Sequence, residues 1–369
     1  GVLCITSDEH TNLSVAIASK LLAPHRVVIS RAESRECAAN LASFGTDHIV
    51  APYEIFADYF DIAIHYPYCH LLYDWLIIPH FQPQVSHYHI KEGMWVVCGY
   101  GRMGQALYKR FEDSGDEMVL IEADPESRRI PSGVKLVRGR GTEAKTLLEA
   151  DIKDAVGIIA GTPDDANNLS ILMTAHELKP DLITVGRQNL SLNRSIFEAA
   201  DINIIMNPCR FMTNKIMTLI RTPLLLDFLR LSKDRGESWC HALVEELFEI
   251  LNLADTDLEN IPELEVWMVC ITEEGASAIY QVLGIGERIP LSLLYRKYEG
   301  RGEDLGCKPL LLRRGSDFEV TPPDTWFLQQ GDEVLFWMGG WMGSGVWVVT
   351  LYWFLGVAQG QGSRFSLET

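Results

Sequence analysis

Residues 95–104 read Trp95-Val96-Val97-Cys98-Gly99-Tyr100-Gly101-Arg102-Met103-Gly104, an apolar run that leads into three glycines spaced as Gly-x-Gly-x-x-Gly. The apolar run predicts a buried strand. Apolar residues then recur at helical spacing up to Phe111, and Gly115 is a plausible stop for that helix. A strand, a glycine turn and a helix in this order are typical of a dinucleotide-binding unit. We therefore expect a Rossmann-type domain from about residue 93 to 208.

Six short apolar runs alternate with helical patterns across this region. They are residues 95–98, 118–121, 134–137, 156–160, 182–185 and 202–205. Continuous apolar runs favour strands that are buried on both faces, as in a parallel sheet covered by helices. A second helix is expected from Asp165 to Leu178, closed by Pro180. The pattern predicts an α/β, doubly wound parallel sheet.

The chain also contains an internal repeat. Residues 2–14 resemble residues 158–170, so that Asn12 matches Asn168 at an offset of 156 positions. At the same offset Arg31 matches Arg187, and Pro52 matches Pro208. The first copy thus holds only what corresponds to the fourth strand onward. We expect one half copy and one full copy of the fold, the half copy needing a missing segment or a partner to cover its sheet edge.

Downstream of the repeat the character of the sequence changes. Residues 230–260 show a helical, acidic pattern, whereas residues 265–271, 308–314, 317–320 and 332–337 are strand-like and predict a small α+β domain. From Val334 to Ser363 there is no charged residue. We interpret this glycine- and tryptophan-rich segment as a strand pair or an apolar partner-binding tail rather than a membrane span.

Composition narrows the classes of partner. The net charge of −18 would repel a phosphate backbone, so no nucleic-acid partner is expected. The eight cysteines are scattered without a Cys-x-x-Cys pair, which favours reduced thiols in a cytosolic setting. His87 and His89 lack a third ligand at a suggestive spacing, so we expect no metal site. No Ser/His/Asp set and no Tyr-x-x-x-Lys pair is indicated, so we assign no catalytic residue and predict that the protein is not an enzyme.

The glycine loop predicts where a nucleotide would bind. Gly99 permits the turn, Gly101 leaves room for a pyrophosphate, and Gly104 lets the helix approach the strand. Glu122 lies 23 positions beyond Gly99, where a ribose-binding carboxylate would favour NAD(H) or an adenine nucleotide over NADP. The alternatives are a purely structural turn and a solvated strand end.

Further candidates lie at the carboxyl edge of the predicted sheet. Thr162 follows the fourth strand, and the adjoining Asp164 and Asp165 either face a ligand or cap the next helix. Arg187 ends the fifth strand and reaches either a phosphate or a surface ion pair.

Several stretches together resemble the RCK (KTN, TrkA-N type) regulatory domains of potassium channels and transporters. They are residues 96–104, 120–125, 139–142, 165–169, 185–187 and 200–208. Residues 2–76 are similar to the back half of another such domain, and residues 262–338 to the family's small TrkA-C-like companion. The resemblance implies segments of 1–76, 77–92 (connector), 93–232, 233–261 (helical connector), 262–338 and 339–369 (tail).

What the resemblance implies is a ligand sensor. Gly99, Gly101, Arg102 and Gly104 would contact phosphates, Glu122 the ribose and Arg187 a phosphate. Tyr100, Met103 and Thr162 would be further cofactor-binding residues. Many members have Gly-Asp-Ala-Thr where this chain has Gly139-Arg140-Gly141-Thr142. Arg140 would then stack on the base or pair with a phosphate, which leaves the identity of the base open.

The family also implies partners and a location. Its domains pair as homodimers and assemble into rings beneath a pore. The short connector between the two copies favours the tandem region of a K⁺ channel, at the cytoplasmic face of the plasma (inner) membrane, with a pore-forming segment upstream in the same polypeptide. The alternatives are an NAD-dependent oxidoreductase on the same fold, and a scaffold that binds no ligand.

Overall fold

The computed structural model describes residues 1–78, 93–251, 264–295 and 307–339. The chain divides into two compact units. In the described residues, one unit holds 1–67 and 93–216, and the other holds 68–78 and 217–339. His87, His89 and most of the predicted apolar tail lie outside the described residues. The boundaries of the six predicted segments stay a prediction.

The first unit begins with a three-stranded parallel sheet in the order β1-β2-β3. Its strands are β1 (Val2–Cys4), β2 (Val28–Arg31) and β3 (His48–Val50), and its helices are α1 (Glu9–Leu22), α2 (Arg35–Ser43) and α3 (Pro52–His65). A further helix, α4 (Pro67–Ile77), follows α3, and from Tyr68 on it belongs to the second unit. Pro52 starts α3 at a position where its missing N–H costs no helical hydrogen bond. These elements are the half copy.

A six-stranded parallel sheet follows, in the order β6-β5-β4-β7-β8-β9. The strands are β4 (Trp95–Cys98), β5 (Met118–Glu122), β6 (Lys135–Arg138), β7 (Gly157–Ala160), β8 (Ile183–Arg187) and β9 (Ile204–Met206). The helices are α5 (Arg102–Ser114), α6 (Ala144–Glu149), α7 (Asp165–Leu178), α8 (Arg194–Ala199) and α9 (Pro208–Arg221). Strand order reverses between β4 and β7, where ligands of such sheets bind. The predicted fold class is confirmed, and α7 has the predicted bounds.

One face of the six-stranded sheet is shared between α5 and helix α3 of the half copy. Phe60 of α3 lies edge-on to Trp95 of β4 with ring centroids 4.9 Å apart, and both side chains are buried. Phe56 of α3 lies edge-on to Phe211 of α9 at 5.4 Å. Each buried aromatic ring removes a large apolar area from water. The half copy is therefore packed onto the full copy through helix α3.

The second unit contains an antiparallel sheet in the order β10-β13-β11-β12. Its strands are β10 (Leu264–Cys270), β11 (Cys307–Arg314), β12 (Asp317–Val320) and β13 (Glu333–Gly339), and its later helices are α10 (Pro223–Arg235), α11 (Glu237–Ile250) and α12 (Ser277–Gly284). The small α+β domain is thus confirmed. The described part of the helical pattern over 230–260 forms two helices: α10 ends at Arg235 and α11 begins at Glu237, and Gly236 between them has a φ of 90° that interrupts the helix.

The expectation of eight reduced thiols is wrong for two of them. Cys69 of α4 and Cys240 of α11 form a disulfide with their Cα atoms 5.2 Å apart. The two cysteines are 171 positions apart in the sequence, so no local spacing could have indicated the pair. In the described part of the chain, no helix is long and apolar enough to cross a membrane.

Candidate nucleotide-binding site

The glycine loop joins β4 to α5, and its three glycines have different structural roles. Gly99 has a φ of +99°, which side chains rarely tolerate, and its N–H donates to the Ile121 carbonyl at 2.8 Å. A Cβ on Gly104 would lie 2.2 Å from the Gly99 carbonyl oxygen, so no larger residue fits there. A Cβ on Gly101 would meet no atom within 4 Å. Two glycines therefore build the turn, and the third faces open space.

Helix α5 begins beside that open space with its first amides uncapped. Gly101 is the N-cap residue, and no side chain accepts a hydrogen bond from the first turn in the described structure. The first helical hydrogen bond runs from the Gln105 N–H to the Gly101 carbonyl at 2.9 Å. The N–H groups of Arg102, Met103 and Gly104 consequently have no helical acceptor, and the positive end of the helix faces outward. This arrangement suits an anionic group.

Tyr100 and Met103, two of the predicted cofactor-binding residues, have buried side chains. Both side chains are buried in the core against α3 and the sheet. Burial raises the pKa of the Tyr100 phenol. Of their backbone N–H groups, that of Tyr100 already donates to Glu122.

The Glu122 carboxylate is tied to the glycine loop at the end of β5. Its Oε2 accepts the Tyr100 N–H at 2.7 Å and its Oε1 accepts the Asp124 N–H at 3.1 Å. A carboxylate oxygen can accept more than one hydrogen bond, so each oxygen keeps acceptor capacity. Glu122 is thus a half-buried, oriented carboxylate beside the loop and not a freely solvated strand end.

Thr162 lies across from the loop at the end of β7, and its neighbours build the local frame. Its methyl group is 3.7 Å from the position of a Cβ on Gly99, and its hydroxyl donates to Asn168 at 2.7 Å. Asp164 caps α7 by accepting the Asn167 N–H at 2.8 Å. Asp165 accepts the N–H groups of Asn189 (2.6 Å) and Leu190 (3.0 Å). The two aspartates therefore have structural partners, as one of the two alternatives expected.

Arg187 ends β8 and points at the half copy. Its Nη2 donates to the Tyr53 hydroxyl at 2.8 Å, and its guanidinium lies 5.0 Å from the centre of the Tyr53 ring. Burial lowers the pKa of Arg187, and the nearby charge of Arg102 lowers it further. Its Nε is buried without a hydrogen-bond partner in the described structure. The alternative of a surface ion pair is not realised.

Arg140 is exposed, and no described side chain pairs with its guanidinium. Its loop nevertheless borders the site. The Gly139 N–H donates to the Glu122 carbonyl at 3.1 Å, and a Cβ on Gly141 would lie 2.6 Å from the Cys98 sulfur. Arg140 is therefore carried by a loop that is held against the ends of β4 and β5, with its side chain in solvent.

Arg102 has a partner that sequence reasoning missed. Its guanidinium pairs with Oε2 of Glu33, which follows β2 in the half copy, and Oε1 of the same carboxylate pairs with Arg31. Glu33 belongs to no sequence motif, so only the packing of the two copies could place its carboxylate beside Arg102. Within the described residues no group of three His, Cys, Asp or Glu side chains could hold a metal ion.

A parallel sheet with a reversal of strand order, a glycine loop and an uncapped helix at that reversal define a Rossmann-type domain of the nucleotide-binding class. Residues 95–208 match the sequence model of the family described as TrkA-N domain. These residues of the chain form a TrkA-N domain, which confirms the resemblance drawn from the sequence.

Curated relatives align with part of this chain. One is "Probable potassium channel protein 2" of Methanocaldococcus jannaschii, 25% identical over 39% of this chain and 44% of the relative. Another is "Trk system potassium uptake protein TrkA homolog" of Pyrococcus horikoshii, 30% identical over 35% of this chain and 60% of the relative. The aligned part of this chain spans 44% and 60% of the lengths of these two relatives. A solved structure described as "GsuK channel bound to NAD" aligns with a TM-score of 0.49 at 16% identity, over 94% of this chain and 66% of that chain.

Proposed function

We propose that this chain is a ligand-sensing regulatory region that binds NAD(H) or an adenine nucleotide, ATP or ADP, and thereby controls K⁺ flux through a channel or transporter. The observation that supports nucleotide binding is the open space at Gly101 beside the uncapped amides of α5. The K⁺ part is supported by the TrkA-N domain and by the potassium channel and uptake proteins among the relatives. In this proposal the nucleotide is a signal, and the chain is not an enzyme.

Each predicted site residue takes a defined role in this proposal. The amides of Arg102, Met103 and Gly104 hold the phosphates, for which Gly99 and Gly101 clear the backbone. Glu122 accepts a hydrogen bond from the ribose, which disfavours a 2′-phosphate by charge repulsion. Arg102 and Arg187 supply positive charge to the phosphates, and Thr162 borders them. Arg140 covers the base or a distal phosphate from its exposed loop.

The regulated system completes the proposal. A second copy of the chain would pair with this one in a homodimer and then a ring, at the cytoplasmic face of the plasma (inner) membrane. A pore-forming segment of the same polypeptide would receive the signal. Potassium flux through the full-length protein in vesicles, with and without nucleotide, tests this part; flux that does not respond to any nucleotide contradicts it.

A methyl group at Gly101 provides the sharpest test of the nucleotide site. Gly101 has a φ of −76°, so Gly101→Ala keeps an allowed backbone while the added methyl occupies the open space. We expect at least about tenfold weaker binding of the preferred nucleotide, because the phosphates can no longer approach the backbone. Isothermal titration and thermal shift with NAD⁺, NADH, ATP, ADP and NADPH measure this, since a ligand that binds the folded state raises Tm.

Gly133→Ala is the matched control, because a Cβ there also meets no atom within 4 Å and the residue lies in a different loop. Equal binding by the two variants and the wild type would show that the nucleotide binds elsewhere. Turnover of NADH with any member of a substrate panel would favour the oxidoreductase. A folded wild type that binds none of the five nucleotides would favour the scaffold.

A further inference from the structure

Glu33 of the half copy is bound to the glycine loop of the full copy. Its two carboxylate oxygens pair with two different cations, Oε1 with Arg31 at the end of β2 and Oε2 with Arg102 at the start of α5. Only 9% of the Glu33 side chain is exposed, whereas 53% of Arg102 is. An anion is thus held at the entrance to α5 by both copies.

The internal repeat shows that the fold itself does not require this carboxylate. At the repeat offset Glu33 corresponds to Asn189. The Asn189 amide stays within its own copy, where it donates to the Thr162 carbonyl (3.3 Å) and to Asp165 (2.8 Å). The backbone at both positions is held in the same way, because Glu9 accepts the N–H of Glu33 as Asp165 accepts that of Asn189. What is particular to Glu33 is its charge and the direction in which it reaches.

The Glu33 carboxylate is shared between two cations, and a third guanidinium lies near one of them. Arg31 and Arg187 occupy equivalent strand ends, and both have a buried Nε without a hydrogen-bond partner in the described structure. Arg187 is close enough to Arg102 for that charge to lower its pKa. Two guanidinium groups, those of Arg31 and Arg102, therefore share the single carboxylate of Glu33 beside the glycine loop. A doubly charged anion such as a terminal phosphate would balance them better than a single carboxylate.

We propose that Glu33 is a built-in competitor for the nucleotide's terminal phosphate: the phosphate displaces its carboxylate from Arg102 and Arg31, so that binding loosens the contact between the half copy and the glycine loop. This inference rests on the proposed nucleotide site and adds its coupling to the half copy. Because Glu33 competes with the phosphates, the affinity for a nucleotide depends on the number of its phosphate groups as well as on its base.

The test is a comparison of ligands that differ only in phosphate number. Adenosine, AMP, ADP and ATP are titrated into the wild type and into Glu33→Gln. Because the substitution removes the charge that competes with the phosphate for Arg102 and Arg31, we expect Glu33→Gln to bind ADP and ATP about tenfold more tightly, with less gain for AMP. Adenosine should bind both proteins equally. Glu36→Gln is the control, since Glu36 is exposed on α2 and its loss changes the net charge equally.

Two further variants separate competition from a change in folding. In the background Arg102→Gln, the substitution at Glu33 should no longer tighten ADP binding, because the cation it releases is absent. Glu33→Asp keeps the charge but shortens the side chain by one methylene, so it should also bind ADP more tightly than the wild type. It carries the test if Glu33→Gln does not fold, which circular dichroism decides.

The outcomes distinguish this inference from the function on which it rests. Unchanged or weaker ADP binding by folded Glu33→Gln or Glu33→Asp overturns the competition while leaving the nucleotide site in place. An equal gain for adenosine and ATP overturns it as well, because a gain without phosphate dependence is not displacement by phosphate. If the wild type and all variants are folded and none binds any nucleotide, the proposed function itself fails.

Discussion

The half copy and the full copy build the same hydrogen-bonded corner at the ends of their strands. In the full copy Asn168 is buried in α7 and bonds to Thr162 and to the Arg187 carbonyl, its Nδ2 lying 2.7 Å from that oxygen. In the half copy Asn12 makes the equivalent bonds to Thr6 and to the Arg31 carbonyl, the last at 3.4 Å. A strand, a helix and the next strand are therefore sufficient to form this corner.

The copies differ in how many strands flank the first strand of this corner, which is β7 in the full copy and β1 in the half copy. Ile159 in the middle of β7 is fully buried because β4 pairs with β7. Leu3, its equivalent in β1, is 47% exposed, since β1 pairs with β2 alone among the described strands. Only the full copy has the glycine loop, which belongs to β4 and α5. The comparison teaches that local sequence repeats the frame, whereas the candidate ligand site needs the strand that the half copy does not show.

Gly104→Ala should have the largest effect, because it acts on the element that only the full copy contains. The new Cβ would lie 2.2 Å from the Gly99 carbonyl oxygen, which is backbone and cannot rotate away. We expect a loss of about 3–4 kcal/mol in the free energy of unfolding, measured by urea denaturation. Gly101→Ala is the control and should cost less than about 1 kcal/mol, as its Cβ meets nothing. Equal losses of unfolding free energy for the two variants would mean that the close packing of helix α5 on the loop does not require glycine at position 104.

Replacing the two buried asparagines tests whether the shared corner is equally important in both copies. Asn168→Ala leaves the Thr162 backbone and the Arg187 carbonyl without their partner, and we expect a loss of about 2–3 kcal/mol. Asn12→Ala should cost about 1–2 kcal/mol, because its bond to the Arg31 carbonyl is longer. Denaturation followed by hydrogen exchange shows in which copy each loss of unfolding free energy arises. A larger loss for Asn12→Ala would contradict the ranking of the two copies.

The smallest expected effect concerns the pH dependence of the full copy. Burial alone would raise the pKa of Asp165, but the N–H groups of Asn189 and Leu190 and the Asn193 amide lower it below its ordinary value of 3.8. A depressed pKa stabilises the folded state above the unfolded pKa, and that contribution is lost as pH falls through the folded pKa. Below about pH 4 the wild type should therefore lose stability more steeply than Asp165→Asn, by about 1 kcal/mol.

Asp181→Asn is the control for this pH profile, since Asp181 is exposed in the turn before β8. Its unfolding free energy should follow the wild type at every pH. If the unfolding free energies of all three proteins fall in the same way at low pH, the carboxylate of Asp165 contributes no pH-dependent stability to the full copy.

Much of the fold could be predicted from local signals. The run at Trp95–Cys98, the stop at Gly115 and the helix from Asp165 to Leu178 have the predicted bounds, because each depends on apolar periodicity or capping within a few residues. The break at Gly236 was not predicted, since the helical pattern continues on both sides of it. The roles assigned to the site residues remain predictions.

The sequence by itself determined the class of the domain, the repeat and the place of the glycine loop, because these follow from residue spacing along one chain. Only the tertiary structure decided the partners of the charged groups. It brought Glu33 to Arg102, Tyr53 to Arg187 and Cys69 to Cys240. Such pairs join residues that are far apart in the chain, and their geometry depends on how helices and sheets pack. No local pattern of residues encodes that packing.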